Sequence, residues 1–447
     1  MENSFYQPAE RNRRGRILSL MMAAVALAAP MAAQLGASPG PYNPLPDLRA
    51  IPAAAAAEAS SAKPSQSPAL SIAVAPLGFA APGAYYLGKR NSLVSLDFLD
   101  ESRLLFTFRV PGLMHREAAA SEEDEERQIR AMVLALPSGA VLSEALWTLH
   151  DRARYLWPLQ DGHFLLRDGN EIRQGDVTLV LKPVLRFPGP LLSMELDPSQ
   201  RYLVASSREP VAVPAPSAFS ANSVANAGQS PAPRDLMMRI VRRDTGQVLL
   251  FSRLADAVHL PINGDGYVES QRGRGLEWSL SLHHFDGGKS SLGQVISTCG
   301  PTLDFLTGKE LLATLCDTLG GHKLAAIATD GRLLWENFAP DNAIWPLLVK
   351  AADGSRLARE SILLSHPLSD RLPLSIEDMR GQLVEVFNAA DGKRALTVRT
   401  EPVFDAGGNV AFSPSGRRVA VLSGGAILIF DLPPAPLAEA PGDQFGR

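Results

Sequence analysis

Short apolar stretches separated by tight turns make up most of this chain from Tyr85 almost to its end. In residues 409–432, apolar and polar residues alternate, and the runs are broken at Pro414-Ser415-Gly416 and at Gly424-Gly425. Alternation with a period of two, bounded by turn residues, is typical of short β-strands. No long amphipathic helix interrupts the pattern, so the sequence predicts an all-β fold.

Internal matches indicate a repeat architecture. Hairpins in several stretches turn at a Gly preceded by Ser, Thr or Asp, residues that favour such turns. Trp147 and Trp157 are ten residues apart, as are Trp335 and Trp345, and each pair ends in Trp-Pro-Leu. Recurrence of β-hairpins at a period of about 40 residues predicts a β-propeller.

The spacing of the hairpins predicts seven blades over residues 83–434, with six or eight blades as open alternatives. We place the inner strands near residues 93, 153, 192, 257, 302, 344 and 409. The widest gaps between them contain apparent insertions at 114–127, 209–234 and 365–376. The last blade has three strands before Pro433. We assign its fourth strand to the N-terminal segment 83–89, which would pair with Ile427–Phe430 and close the ring.

The stretch FSPSGRRVAVLSGG, followed by AILIFDL, resembles the repeats of WD40-like and related bacterial β-propeller proteins. Phe430-Asp431 stands where the repeat has Trp-Asp, and the Gly-His pair of full WD40 repeats is missing. The sequence therefore resembles a divergent relative over roughly residues 83–433. Proteins of this class share a fold but differ widely in use, so the resemblance implies the architecture and no particular activity.

The N-terminal residues have the layout of an export signal. Four Arg lie within residues 11–16, an uncharged run follows from Ile17 to Ala29, and small residues stand at Ala32 and Ala33. We predict a signal peptide at 1–33 and a periplasmic or secreted protein without a transmembrane span after cleavage; an uncleaved membrane anchor is the alternative. We also predict a disordered Ala/Pro/Ser-rich linker at 34–82 and a disordered tail at 435–447.

Charge and cysteine content narrow the choice of partners. The formal net charge is −4, and no clustered basic segment suggests a phosphate-binding face, so we expect a protein or an envelope component and no nucleic acid as partner. Cys299 and Cys316 would face each other in a hairpin centred on Thr307-Gly308, which predicts a disulfide in an exported protein. Two buried thiols are the alternative.

Three polar segments resemble metal or docking sites but have simpler interpretations. Adjacent side chains such as His283 and His284 point to opposite faces of a strand, so they cannot share a metal. The oxygen-rich stretch 263–269 resembles part of a calcium loop, although turn chemistry explains it equally. The acidic run 122–126 is read as a solvated loop, with a docking patch for a basic partner as the alternative.

No catalytic motif, cofactor fingerprint or metal-ligand pattern is apparent in the sequence. The two matched Trp-to-Trp connections should enter the same face of the ring, so Asp151, Arg152, Arg154 and Asp341 are the candidate binding-face residues. Our first hypothesis is an exported, non-enzymatic propeller that acts as a protein-interaction or scaffold module in the cell envelope. The alternative is a propeller enzyme (a hydrolase, a lyase or a quinoprotein-like dehydrogenase) with its site at the central channel.

Overall fold

The structure, a computed structural model, describes residues 67–83, 86–111, 126–151, 153–210, 234–255, 259–317, 321–367 and 375–436. Within these ranges the protein is almost entirely β-strand, and the two short 3-10 helices are Ala75–Leu77 and Ile376–Asp378. The first strands in sequence order are β1 (Leu70–Ala73), β2 (Val94–Asp100), β3 (Arg103–Arg109), β4 (Arg127–Ala135), β5 (Val141–Leu149), β6 (Leu156–Pro158), β7 (Phe164–Asp168), β8 (Glu171–Gly175), β9 (Lys182–Arg186), β10 (Leu191–Leu196), β11 (Tyr202–Pro210), β12 (Arg234–Arg242) and β13 (Val248–Leu254). The remaining strands are β14 (Gly266–Arg272), β15 (Glu277–His284), β16 (Lys289–Ile296), β17 (Thr302–Thr307), β18 (Glu310–Cys316), β19 (His322–Ala328), β20 (Leu333–Phe338), β21 (Ala343–Lys350), β22 (Arg356–Leu364), β23 (Met379–Asn388), β24 (Arg394–Thr400), β25 (Val410–Phe412), β26 (Arg418–Ser423) and β27 (Ala426–Asp431).

These strands form seven antiparallel sheets, the blades of a seven-bladed β-propeller. Each blade is a meander of consecutive strands, and the first strand of a blade is the inner one, nearest the ring axis. In sequence order the blades are β2–β5, β6–β9, β10–β13, β14–β16, β17–β20, β21–β24, and β25–β27 with β1 added at its outer edge. We number them 1 to 7. The predicted fold class and the blade count are confirmed.

The core of the molecule lies between blades. Leu104 and Phe106 on β3 belong to an apolar cluster shared with blade 7, whereas Leu105 between them belongs to a cluster shared with blade 2. A strand covered by a neighbouring blade on each side buries side chains on both of its faces, which explains why apolar residues point both ways along β3. Seven such clusters among the described residues join each blade to the next, including blade 7 to blade 1.

The predicted positions of the inner strands agree with the structure. Six of them fall at or close to β2, β6, β10, β17, β21 and β25. The seventh, predicted near residue 257, corresponds to the short extended segment 259–263, where Ile262 forms an isolated bridge with Tyr267 of β14. Asn263 interrupts this pairing by turning the backbone, so the inner edge of blade 4 is a single bridge.

The predicted source of the fourth strand in blade 7 was wrong. That strand is β1, in which Leu70 pairs with Ile429 and Ala73 with Ala426. Among the described residues of segment 83–89, Tyr86 begins a turn and no strand forms. β1 lies instead in the range 34–82 that we assigned to the linker. This range was assigned to a linker because it has few apolar residues. Ile72 is 8% exposed and packs into the cluster between blades 7 and 1.

Candidate functional site: the long-loop face

The connections of the propeller divide between two faces of very different character. In an antiparallel four-stranded blade, the turn after the first strand and the turn after the third lie at one end. The turn after the second strand and the connection to the next blade lie at the other end. We call the first end the short-turn face and the second the long-loop face. Connections on the short-turn face are two to six residues long.

The short-turn face is built from one repeated device. At each of its thirteen described turns, a side-chain oxygen accepts a hydrogen bond from the backbone N–H two residues later, at 2.7 to 3.4 Å. Asp, Asn, Ser and Thr favour such turns because the side chain replaces a backbone partner. The accepting residues are Asp100, Ser138, Asp161, Asp176, Asp197, Thr245, Asn263, Asp286, Thr307, Asp330, Asp353, Asp391 and Ser415.

All the long connections belong to the opposite face. The connections that follow the second strand are 110–126 in blade 1, 211–233 in blade 3 and 365–378 in blade 6, and segment 74–93 enters blade 1 from the same end. The predicted insertions therefore share one face. The acidic residues 122–125 and most of these loops lie outside the described residues. Because surface loops carry binding residues more often than packed strands do, the long-loop face is the candidate functional site.

The structure places the predicted binding residues on this face but in two separate regions. Asp151 and Arg154 lie on the connection from blade 1 to blade 2, whereas exposed Asp341 lies on the connection from blade 5 to blade 6. Arg152 lies outside the described residues. Asp151 forms a 2.6 Å ion pair with buried Arg167. The exposed Arg154 lies 5.1 Å from the centre of the Trp157 ring.

Buried polar groups hold the connection that carries Asp151 and Arg154. Arg127 on β4 donates to the carbonyl oxygens of Ser92 (2.7 Å) and Ala153 (3.3 Å) and lies over the Tyr155 ring. Burial lowers the pKa of Arg127 to about 10, so it stays charged at neutral pH. Burial also raises the pKa of Asp97 on β2 to about 7, against the effects of Ser95 and Arg154. Sequence inspection missed these groups, because a local window of sequence does not show that they are buried.

The disulfide lies on the long-loop face of blade 5. Cys299, just before β17, and Cys316, at the end of β18, are bonded with their Cα atoms 5.5 Å apart. The hairpin register behind this prediction was wrong by one residue, since Thr302 pairs with Thr314. The cysteines meet because the Thr298 N–H donates to the Cys316 carbonyl oxygen at 3.0 Å and brings the incoming connection alongside β18.

A second region of this face is a cleft in blade 6 with a volume of about 200 Å³. Asn342, the end of β22, the start of β23 and the end of β24 line it, and Arg380, Gln382 and Arg399 are among the lining residues. Gln382 is buried, and its side chain ties the floor of the cleft to the connection between blades 6 and 7. Its Nε2 donates to Glu360 (3.0 Å) and to the Phe404 carbonyl oxygen (3.3 Å), and its Oε1 accepts from the Phe404 N–H (3.2 Å).

Glu360 below this cleft is a carboxylic acid without an ionic partner among the described residues. It is 1% exposed, and its Oε1 has no hydrogen-bond partner within that part of the protein. Burial raises the pKa of Glu360 to about 8, so the side chain is neutral at pH 7. No sequence motif contains Glu360, so sequence inspection missed it.

The repeated tryptophans stabilise the ring. Trp147 on β5 and Trp335 on β20 are buried, and each indole N–H donates to a carbonyl oxygen in the next blade, that of Leu179 at 3.3 Å and that of Ala389 at 2.7 Å. These two tryptophans therefore pack between neighbouring blades. Their identical role explains why they recur in the sequence.

The metal-like segments have ordinary roles. His283 contacts Glu269 at 2.9 Å, while His284 contacts Ser290 at 3.1 Å, so the two imidazoles have separate partners. Asn263 accepts hydrogen bonds from the N–H groups of Asp265 and Gly266 at 3.0 and 2.8 Å, as turn chemistry requires. Among the residues the structure describes, no group of three or more His, Cys, Asp or Glu side chains could hold a metal ion. None of the helices within those ranges is long and apolar enough to cross a membrane.

The sheet topology defines the protein as a seven-bladed β-propeller. Comparison with known proteins finds solved structures with a similar fold. No protein-family model and no curated protein matches it. Among solved structures it is similar to the C-terminal WD40 domain of Sif2 (11% identity, TM-score 0.41, 77% of this chain and 97% of that one). It is also similar to the acylaminoacyl peptidase of Pyrococcus horikoshii (12%, 0.45), of which it spans about half (52%), and to TolB from Acinetobacter baumannii (14%, 0.35, 71% of this chain and 74% of that one).

Proposed function

We propose that this protein is an exported, non-enzymatic propeller that binds another protein of the cell envelope through its long-loop face. The observation that carries the proposal is the division of the connections. Every described turn on one face is short and internally capped, whereas the long segments 110–126, 211–233 and 365–378 all belong to the other face. Ordering a long loop costs conformational entropy. The restriction of the long loops to one face therefore favours a functional role for that face.

The extracellular or periplasmic setting is part of the proposal. The layout of residues 1–33 supports it, and the cross-link between Cys299 and Cys316 fits an oxidising compartment. Intact mass measurement of the protein purified from its native cells tests this, since cleavage would give a mature protein beginning near Gln34. A full-length protein retained in the membrane fraction would favour the anchor instead.

Site-specific photo-crosslinking in the native cells tests the binding face. We would place a photo-reactive residue at exposed positions on the long-loop face, Asp341 and Arg274, and on the short-turn face, Asp330 and Arg417. We expect one discrete protein adduct from the first pair, identified by mass spectrometry, and none from the second. Replacing residues 211–233 with a short Gly-Ser turn should weaken the adduct if that loop takes part. Adducts from the short-turn face alone, or from neither face, would overturn the proposal.

A further inference from the structure

Two arginines stand at the rim of the blade 6 cleft without a counter-ion. Arg380 and Arg399 are exposed, and neither guanidinium has an ion pair or hydrogen bond with another described residue. Some exposed arginines of this protein have such partners, for example Arg253 with Asp235 at 2.6 Å, whereas Arg274 and Arg417 also lack them among the described residues. An unpaired arginine can present its planar fork of donors to a carboxylate.

A bulge in the backbone at the cleft determines the position of Arg380. Strands β22 and β23 are bulged between Leu363 and Leu364, so that Gly381 pairs with Leu363 and Met379 with Leu364. Gly381 has a φ of +151°, which other residues rarely adopt. The bulge re-aims the residue next to it, Arg380, and β-bulges often do so beside functional sites.

The electrostatic balance of the cleft favours an anion. Glu401 is the one acidic residue among those described as lining it, against two guanidinium groups. Asp378 nearby contacts His366 at 3.4 Å and accepts a hydrogen bond from the Ser375 N–H at 3.1 Å. Glu360 beneath the floor is neutral at pH 7, because burial raises its pKa to about 8. Glu360 therefore does not neutralise the positive charge of Arg380 and Arg399.

The size of the cleft limits what it can hold. A volume of about 200 Å³ is smaller than the roughly 300–1,000 Å³ of small-molecule and cofactor pockets. It suits one amino-acid side chain or the last residue of a polypeptide. The fixed hydrogen bonds of Gln382 give this space a rigid floor.

We propose that the Arg380–Arg399 cleft binds the carboxylate of a single residue of the protein partner, with both guanidinium groups donating hydrogen bonds to it. This inference rests on the proposed function and assigns one recognition point on the long-loop face. The carboxylate belongs either to a Glu or Asp side chain or to the C-terminus of the partner, which share the same chemistry.

NMR titration with defined peptides tests the cleft without the unidentified partner. The probes are acetyl-Gly-Glu-Gly-amide, its glutamine analogue acetyl-Gly-Gln-Gly-amide, and acetyl-Gly-Gln-Gly with a free C-terminal carboxylate. We expect the Nε–H signals of Arg380 and Arg399 to shift with at least one carboxylate peptide and not with the neutral one. Arg380→Gln and Arg399→Gln should each weaken binding by about tenfold, the loss of one charge-assisted hydrogen bond.

Arg417→Gln is the matched control, since Arg417 is an exposed arginine without a described side-chain partner on the short-turn face. It should leave the titration unchanged. Equal shifts with the neutral peptide, or no shift with either carboxylate peptide, would overturn the cleft assignment. If the titration fails while face-specific crosslinks persist in Arg380→Gln and Arg399→Gln, the cleft inference fails and the proposed function stands.

Discussion

Replacing Glu360 by Gln should stabilise the propeller, and the gain should grow with pH. The carboxyl group has a pKa of about 8 in the folded protein against an ordinary value of 4.5. An acid whose pKa is raised by folding favours the folded state at low pH, where both states are protonated. As the pH rises from 4.5 to 8, the unfolded protein releases this proton and the folded protein keeps it, so stability falls across that window.

The size of the effect follows from the pKa difference. Each unit between the unfolded pKa and the working pH costs about 1.36 kcal/mol until the folded pKa is reached. The cost is therefore about 1 kcal/mol at pH 5.5 and about 4 kcal/mol at pH 7.5 for the pKa values of 4.5 and about 8. A glutamine has nearly the same shape, can still accept from Gln382, and does not titrate.

Urea unfolding of the wild type and Glu360→Gln at pH 5.5 and 7.5 measures this difference. The free energy of unfolding of the variant should exceed that of the wild type by about 3 kcal/mol more at the higher pH. Asp97, with a pKa of about 7, titrates in both proteins and cancels in the comparison. Glu277→Gln, at an exposed position, is the control and should change little at either pH. A pH-independent difference, or a less stable variant at pH 7.5, would refute the reasoning.

Three further predictions concern the ring itself. Ile72→Asp places a charge in the cluster between blades 7 and 1 and should lower the unfolding free energy by at least about 3 kcal/mol, whereas exposed Ser71→Asp should change it little; equal effects would contradict the role of β1. Cys299→Ser removes a cross-link over 17 residues and should cost about 3 kcal/mol in chemical unfolding. Two free thiols in the unreduced, unfolded wild type would contradict the disulfide. Trp335→Phe loses an inter-blade hydrogen bond and should lower stability by about 1–2 kcal/mol in the same assay, and an unchanged midpoint would show that the bond contributes nothing.

The closing strand shows the limit of reading strands from apolar runs. Segment 83–89 has two tyrosines, a composition that predicts a strand, while Leu70–Ala73 is short and lies among Ala, Pro and Ser. Long-range interactions select β1: its backbone satisfies the open edge of β27, and Ile72 packs into the apolar cluster between blades 7 and 1, against Gly139 of the β4–β5 turn. Neither requirement is visible in a local window of sequence.

The two faces of the ring differ in how far sequence determines them. On the short-turn face, a residue such as Asp353 or Asp391 caps the N–H two residues later, so the turn is encoded locally and the repeat is readable. On the long-loop face, sequence patterns could place Asp151 and Asp341 on the same side of the ring but could not assemble the cleft. That site depends on Arg399 from the end of one strand meeting Arg380 from the start of its neighbour.

The protonation of Glu360 shows why the candidate site could not be found from the charged residues of the sequence. Its burial in the folded protein, and not its own identity, determines that it is neutral at pH 7. If Glu360 is counted as ionised, as the sequence alone suggests, the charges around the Arg380–Arg399 cleft nearly cancel. In the folded structure Glu360 is protonated at pH 7, and the charge around the cleft is positive. The raised pKa of Glu360 therefore arises from burial, which only the assembled ring provides.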